Sequence, residues 1–396
     1  MLISTASSHL TTLACLGERP PLFREALHVG RPNLPDRHQL HQRLDDMLDR
    51  RWLANFGSYA QAFEAAIATT CGCAHAVSTC NGTMGLMLLA KALNLQGEVI
   101  VPAFTFAATA HALAWLGLDV VLVDVDRHRH HLDPRAVAAA ITPRTSAILG
   151  VHLWGRPCPH AALQALAQTH RLPLIYDAAH AFGSAGIGHM GTAAVLSFHA
   201  TKLIGAGEGG AVICNDPDLA HAIRCLSNFG FDGNRDAPVG LGINGKLDEF
   251  SAAFGLGMTE VMPALQRRIH QQHCWYRHRL HRIPGLHVCR GGPGWNHHYL
   301  VMEVDPEEFG LNRDYLQQAL HAEGILAKRY FSPGLHRVEP YRSKQYACPT
   351  SDLLSTRLLQ LPLGGSIDDQ IIHQISEVFM VAHKRASELR SWRRSA

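Results

Sequence analysis

The sequence predicts an α/β protein whose sheet is mainly parallel, and three observations carry that prediction. Strand-like and helix-like runs alternate from residue 76 onward. The strand-like runs, among them Val120-Val121-Leu122-Val123 and Ala211-Val212-Ile213, are apolar throughout instead of alternating, as strands covered on both faces are. Asn81, Phe104, Phe106, His152, Asp177 and Lys202 each follow such a run. In open α/β sheets the functional groups collect at the carboxyl ends of strands.

In chain order, residues 1–35 read as an extended, loop-like segment, because Pro20-Pro21, Pro32 and Pro35 interrupt any regular element. Helical spacing of Leu40, Leu44, Met47 and Leu48 predicts a helix over 38–50, and a second follows over 59–69. A short strand at 76–79 ends in the polar turn Asn81-Gly82-Thr83 and runs into a helix over 84–93. Backbone N–H groups at a helix N-terminus bind anions and Thr83 adds a hydroxyl, so this turn is a candidate phosphate cup; the same junction also serves as a plain helix cap. Strands are expected over 98–102, 120–123, 146–151 and 173–176, with helices over 104–116, 134–140 and 159–169. Strands at 193–196 and 211–213 flank a Gly-rich turn.

Beyond it the periodicity is helical over 250–258 and 264–281, and strands become sparser (299–304, 327–330) among helices at 314–323 and 367–385. A chain of 396 residues suggests about two domains. The reading is an N-terminal extended segment (1–35), a large domain (36–257) and a smaller C-terminal α+β domain (258–396).

Composition narrows the function. The chain is 47% hydrophobic and 17% charged, an ordinary globular balance. A net charge of +3 is too slight to imply nucleic acid, and the basic run 390–394 reads as a solvated tail. No apolar run approaches the roughly 18 residues that span a bilayer, and the N-terminus lacks a signal-peptide pattern. The ten scattered cysteines fit reduced, buried thiols, hence a cytoplasmic protein. Cys71-Gly72-Cys73 lacks the spacing of a zinc site, and His128-Arg129-His130-His131 reads as a loop into a helix, so no metal is expected.

The chemistry centres on two residues. Asp177 ends the apolar strand Leu174-Ile175-Tyr176, and Lys202 follows 25 residues later in the turn Ser197-Phe198-His199-Ala200-Thr201-Lys202. Pyridoxal 5′-phosphate (PLP) needs such a pair: an amine for the Schiff base, and a carboxylate for the pyridinium nitrogen so that the ring acts as an electron sink. Taken singly, each residue is equally a surface lysine or a helix-capping aspartate.

Seven segments occurring in order resemble the DegT/DnrJ/EryC1/StrS aminotransferases, enzymes that aminate keto sugars carried on nucleotides. They are Asn81-Gly82-Thr83, Val101-Pro102-Ala103-Phe104-Thr105-Phe106, Val151-His152-Leu153-Trp154-Gly155, Tyr176-Asp177-Ala178-Ala179-His180-Ala181, the Lys202 turn, Glu208-Gly209-Gly210 and Gly242-Ile243-Asn244-Gly245-Lys246. The resemblance spans roughly residues 30–385. It implies PLP fold type I, like aspartate aminotransferase, with a seven-stranded, mainly parallel sheet in the large domain. It implies that Lys202 carries the cofactor and then shuttles the proton, that Asp177 keeps the pyridine nitrogen protonated, and that Phe106 stacks on the ring. Gly82, Thr83 and Ser197 would hold the phosphate, and Asn244 would reach the phosphate of a neighbouring subunit in a homodimer with shared active sites. His180 stands where many members have Gln, near the cofactor's phenolic oxygen. Lys246 stands where Arg is frequent, a point charge replacing a planar fork.

The segments 228–231, 243–250 and 328–337 are most similar to the subgroup acting on dTDP-linked 4-keto-6-deoxyhexoses. There Arg329, Tyr330 and His336, with Lys246, would line the nucleotide-sugar side; a polar loop around a core tyrosine is the alternative. The expected partners are therefore a nucleotide sugar and an amino-acid donor, L-glutamate. Amination of a 3-keto sugar or a cyclitol ketone, and a non-catalytic regulatory role, remain alternatives at this stage.

Overall fold

The computed structural model describes residues 10–17, 19–233, 236–289, 291–292 and 294–395, with side chains to residue 392. The N-terminal segment contributes one short strand, β1 (Leu27–His28), and leads into helices α1 (Arg37–Arg50) and α2 (Ser58–Cys71). Then β2 (His75–Thr79), α3 (Gly82–Ala92), β3 (Glu98–Pro102), α4 (Ala107–Trp115), β4 (Asp119–Val123), α5 (Pro134–Ala140), β5 (Thr145–Val151), α6 (His160–His170) and β6 (Leu174–Asp177) alternate. The strands β7 (Ala193–Ser197) and β8 (Gly210–Cys214) follow, and α7 (Pro217–Ser227) closes the series.

These seven strands form one sheet in the order β2-β8-β7-β6-β5-β3-β4. Every pairing is parallel except those of β8, which runs antiparallel to both β2 and β7. The continuous hydrophobicity of the strands has its cause in the two cores. Ile148, Tyr176, Ala194 and Ile213 face one core, with Phe63 of α2 and Leu163 of α6. Leu149, Ile175, Val195 and Val212 face the other, with Leu86 of α3, Leu113 of α4 and Leu219 of α7. Alternate residues of each strand thus enter opposite cores, and only strand starts such as Asp119 are left for water.

The helix expected within 104–116 after its loop begins at Ala107, and Thr105 and Phe106 belong to the loop at the strand end. The two helices expected over 250–258 and 264–281 are one rod, α8 (Glu249–Leu280), with Pro263 inside it. A proline costs a helix one backbone bond, and here burial of Met258, Met262, Ile269 and Tyr276 on either side holds the rod together. Residue 258 is buried within that rod.

After α8 come β9 (Leu286–Val288), β10 (Leu300–Val304), α9 (Pro306–Phe309), α10 (Arg313–Ala322), β11 (Ile325–Leu326), β12 (Lys328–Arg329), α11 (Pro349–Arg357), β13 (Leu358–Leu361), α12 (Asp369–Lys384) and α13 (Ala386–Ser395). A second, antiparallel sheet has the order β12-β13-β10-β9, and β1 pairs in parallel with β11. The N-terminal segment is pinned to this part of the molecule by buried Glu323. Its carboxylate accepts from the Ala14 and Leu22 N–H groups (2.7 and 2.9 Å) and pairs with Arg19 at 2.6 Å. The basic run 390–394, expected as a solvated tail, lies in α13, where Leu389 is buried and Arg390 donates to the Gly310 carbonyl. All ten cysteines are free thiols. No helix among the described residues is long and apolar enough to cross a membrane.

Candidate active site

The parallel strands β2, β3, β5, β6 and β7 deliver their carboxyl ends to one edge of the sheet, above a cleft of about 950 Å³. Strand register explains who meets whom. Gly210 of β8 sits opposite both Thr79 and Ser197, so the Asn81-Gly82-Thr83 turn and the Ser197 turn are brought side by side. A Cβ on Gly210 would stand 2.6 Å from the Asn81 carbonyl carbon and the Gly82 nitrogen, so only glycine lets the turn close down here. The Asn81 carboxamide oxygen caps α3 by accepting from the Met84 N–H at 2.8 Å. The N–H groups of Gly82 and Thr83 start the helix, where no intrahelical acceptor exists for them. Gly82, Thr83 and Ser197 all line the cleft.

Asp177, the last residue of β6, is buried. One carboxylate oxygen accepts from the Thr109 hydroxyl (2.7 Å) and the other from the Ala179 N–H (3.0 Å), and the Thr105 hydroxyl lies 2.8 Å from that of Thr109. Burial pushes the Asp177 carboxyl above its usual range, against the opposing pull of Thr109, Ala179 and the Lys202 ammonium. The group is short of a positive partner.

His180 lines the same cleft, with its ring 4.4 Å from that of Tyr299. Burial, reinforced by the charge of Lys202, drives the imidazole well below its ordinary range and keeps it neutral. Its Nδ1 accepts from the Trp154 N–H at 3.3 Å, which leaves Nε2 to carry the ring proton as a donor.

Lys202 lies in the connection between β7 and β8, and its Nζ is 3.2 Å from the Tyr299 hydroxyl. Its neighbour Thr201 is anchored through its carbonyl to the Nε2 of His298, at 3.0 Å, whose ring burial depresses to about 4. Phe106, 62% exposed at the start of α4, stands on the cleft wall. The wall formed by β12 and the residues after it supplies Lys328, Arg329 and Tyr330. Arg329 donates to Gln317 at 2.8 Å and pairs with Asp314 at 3.2 Å. Tyr330 is buried against Trp154, with ring centroids 5.5 Å apart, and burial raises its hydroxyl well above the ordinary range.

Three residues singled out from the sequence do not line this cleft. His336, expected on the nucleotide-sugar side, is 1% exposed, and its Nε2 pairs with Asp352 at 2.9 Å. That geometry is a structural clamp on Asp352, outside the cleft lining. Asn244 is exposed and is bridged to Asn228. Lys246 donates to the Asn228 carboxamide at 2.7 Å and lies 4.9 Å from the Phe229 ring, with burial lowering its ammonium. In the other direction, the sequence reading missed Tyr299 and Thr109. Tyr299 shows only as the first residue of an apolar strand and Thr109 only as a helix residue; neither carries a motif of its own.

A family model described as the DegT/DnrJ/EryC1/StrS aminotransferase family matches residues 36–380. The chain is 34% identical over 361 residues to the dTDP-4-amino-4,6-dideoxy-D-glucose transaminase of Shigella dysenteriae, across 89% of this chain and 98% of that one. It is 35% identical over 332 residues to the UDP-N-acetyl-3-dehydro-alpha-D-glucosamine 3-aminotransferase of Acidithiobacillus ferrooxidans, across 81% and 88% of the two chains. Among solved structures, DesI, crystallised in the presence of its TDP-sugar product, is 45% identical with a TM-score of 0.92, covering 96% of this chain and 99% of its own.

Proposed function

This chain belongs to the DegT/DnrJ/EryC1/StrS aminotransferase family, and on that premise we propose that it moves an amino group from L-glutamate to the keto carbon of a dTDP-linked 4-keto-6-deoxyhexose, with PLP as cofactor. The observation that carries the reading is the meeting of Lys202, Asp177 and His180 in a cleft that also holds a helix N-terminus and, on its far wall, two cations.

The residues fit the cofactor. A carboxylate raised by burial is one that a protonated ring nitrogen would relieve, and Asp177 is that group. The neutral His180 offers its Nε2–H to a phenolic oxygen. The Gly82 and Thr83 N–H groups and the Ser197 hydroxyl are anion donors grouped at one helix end. Phe106, exposed on the cleft wall, would cover a ring face. PLP, when bound, supplies the electron sink that makes the donor's α-proton labile.

The work left to the chain is positioning and proton transfer. The Lys202 amine, once free, would take the proton from the donor's α-carbon and, in the second half-reaction, deliver one to the sugar carbon that gains the amino group, and the Tyr299 hydroxyl at 3.2 Å aims that amine. The cleft volume of about 950 Å³ is at the upper end of small-molecule sites, which leaves room for a nucleotide sugar beside the cofactor. Arg329 and Lys328 provide positive charge for a pyrophosphate, and Tyr330 an apolar wall for sugar or base.

We assign Asn244 and Lys246 to the site of a second subunit, in a homodimer with two shared sites. Support comes from their position outside their own cleft, in a segment that exposes Phe229 (50%), Leu241 (83%), Ile243 (46%) and Phe250 (42%), an apolar surface that a partner would cover. The sequence similarity to a 3-aminotransferase favours a second reading, amination at C3. Incubating the protein and glutamate in parallel with a dTDP-4-keto-6-deoxyhexose and with a 3-keto nucleotide sugar, and locating the new C–N bond by NMR, decides between them. A bond at C4 is expected; a bond at C3 on a 3-keto substrate supports the second reading, and no amino sugar from either refutes both.

A further inference from the structure

Away from the cleft, α7 and the loop after it bring together three side chains that the proposed reaction does not use. His221 and Cys225 are four residues apart on α7 and so share a face. The chain then reverses through Phe229 (φ 56°) and Gly230 (φ 81°), with the Asn228 and Gly230 N–H groups both donating to the Cys225 carbonyl at 3.0 and 2.9 Å. That reversal carries Asp232 back over the helix. His221 Nε2 lies 3.4 Å from Cys225 Sγ and 3.7 Å from Asp232 Oδ1, and the three atoms are all within 4.8 Å of one another.

We infer that His221, Cys225 and Asp232 form a zinc-type cation site that staples the loop after α7 to the helix. A tetrahedral ion with bonds of about 2.3 Å to sulfur and about 2.0–2.1 Å to nitrogen and oxygen sets N···S near ~3.5 Å and N···O near ~3.3 Å. The two His221 separations match these to within a few tenths of an ångström, and all three ligand atoms lie within 4.8 Å of one another. A thiolate beside an imidazole and a carboxylate suits zinc over magnesium or calcium, which prefer oxygen alone. The two anionic ligands neutralise a divalent ion, and a solvent molecule completes the fourth position.

The consequence lies in the loop. Its far end is tied back by the Ile243 N–H to Leu226, the Gly245 N–H to Ser227 and the Cys80 N–H to Gly245. A cation joining its near end to α7 would fix both ends of the segment that presents Asn244.

The molecule contains its own control. His270 and Cys274 are also four apart on a helix, with Nε2 and Sγ 3.9 Å apart, but among the described residues they lack a third ligand. The test uses tag-free holoenzyme, stripped with a chelator and titrated with Co²⁺. One equivalent per chain is expected to give thiolate-to-cobalt absorption in the difference spectrum. Cys225→Ser should abolish that absorption, His221→Ala should weaken binding at least about ten-fold, and Cys274→Ser should change neither. No thiolate–cobalt absorption in the wild type, or absorption that survives Cys225→Ser, overturns the proposal. His221 is exposed, so its variant tests the site even where the cysteine variant misfolds. The readout needs neither cofactor nor sugar, so a failure of the proposed transamination leaves it standing.

Discussion

Replacing Thr109 by valine isolates the support of the key carboxylate. Valine fills the same fully buried space, but Asp177 loses the hydroxyl donor at 2.7 Å and keeps only the Ala179 N–H at 3.0 Å. A hydrogen bond to a charged group is worth about 1.5–3 kcal/mol, and about 1.36 kcal/mol is a factor of ten, so the carboxyl should be pushed up further. PLP needs that carboxylate ionised. Below the variant's Asp177 pKa, cofactor affinity should therefore fall about ten- to a hundred-fold, and the deficit should close as pH rises through that pKa.

The stability of the cofactor-free protein follows the same sign. The folded pKa of Asp177 is raised, so its favourable contribution is complete below the unfolded value of about 3.9 and is lost as pH rises through the folded value. In the variant that loss moves to higher pH. Titrating apoprotein with PLP at a series of pH values measures the effect. Equal affinity of variant and wild type at every pH would refute the argument that Thr109 holds Asp177 ionised.

Other outcomes follow from the same geometry. Tyr299→Phe removes one hydrogen bond to Lys202, worth about 0.5–1.5 kcal/mol, so kcat should drop about three- to ten-fold with little change in either KM. Arg329→Ala should raise KM for the nucleotide sugar about ten-fold with kcat nearly unchanged, and stability should fall by about 0.5–1.5 kcal/mol because the buried Gln317 loses its donor while Asp314 is partly exposed. His336→Asn should cost about 1–3 kcal/mol in a denaturant melt and leave the sugar KM alone, since the imidazole is buried on Asp352 and away from the cleft. A raised sugar KM in that variant would give His336 the substrate role expected from its segment.

The strand–helix alternation was legible because a parallel sheet buried on both faces leaves an unbroken apolar signature, as in Val120-Val121-Leu122-Val123 and Ala211-Val212-Ile213. Residues at strand ends, Gly82, Thr83, Asp177, His180 and Lys202, were legible for the same reason: each follows its strand closely, and the topology gathers those ends at one cleft. What escaped depends on tertiary neighbours. Pro263 signals a break that packing along α8 overrides, and Tyr299 gains meaning only from the Lys202 amine 97 residues earlier. His336 reads as a residue of the nucleotide-sugar side because nothing in its own segment reveals that Asp352 closes on it. His221, Cys225 and Asp232 form no recognisable spacing, because a reversal at Phe229-Gly230 is needed to bring the aspartate back to the helix.

The central claim is that Lys202 carries PLP and that an amino acid discharges its amino group onto it. The most direct test is the visible absorption spectrum of the purified protein, loaded with PLP, before and after L-glutamate, beside a Lys202→Ala variant. The account predicts a yellow band of lysine-bound cofactor in the wild type that gives way to the pyridoxamine form, and no such band in the variant. A wild-type protein that shows no band after PLP is added would contradict the roles given to Lys202 and Asp177.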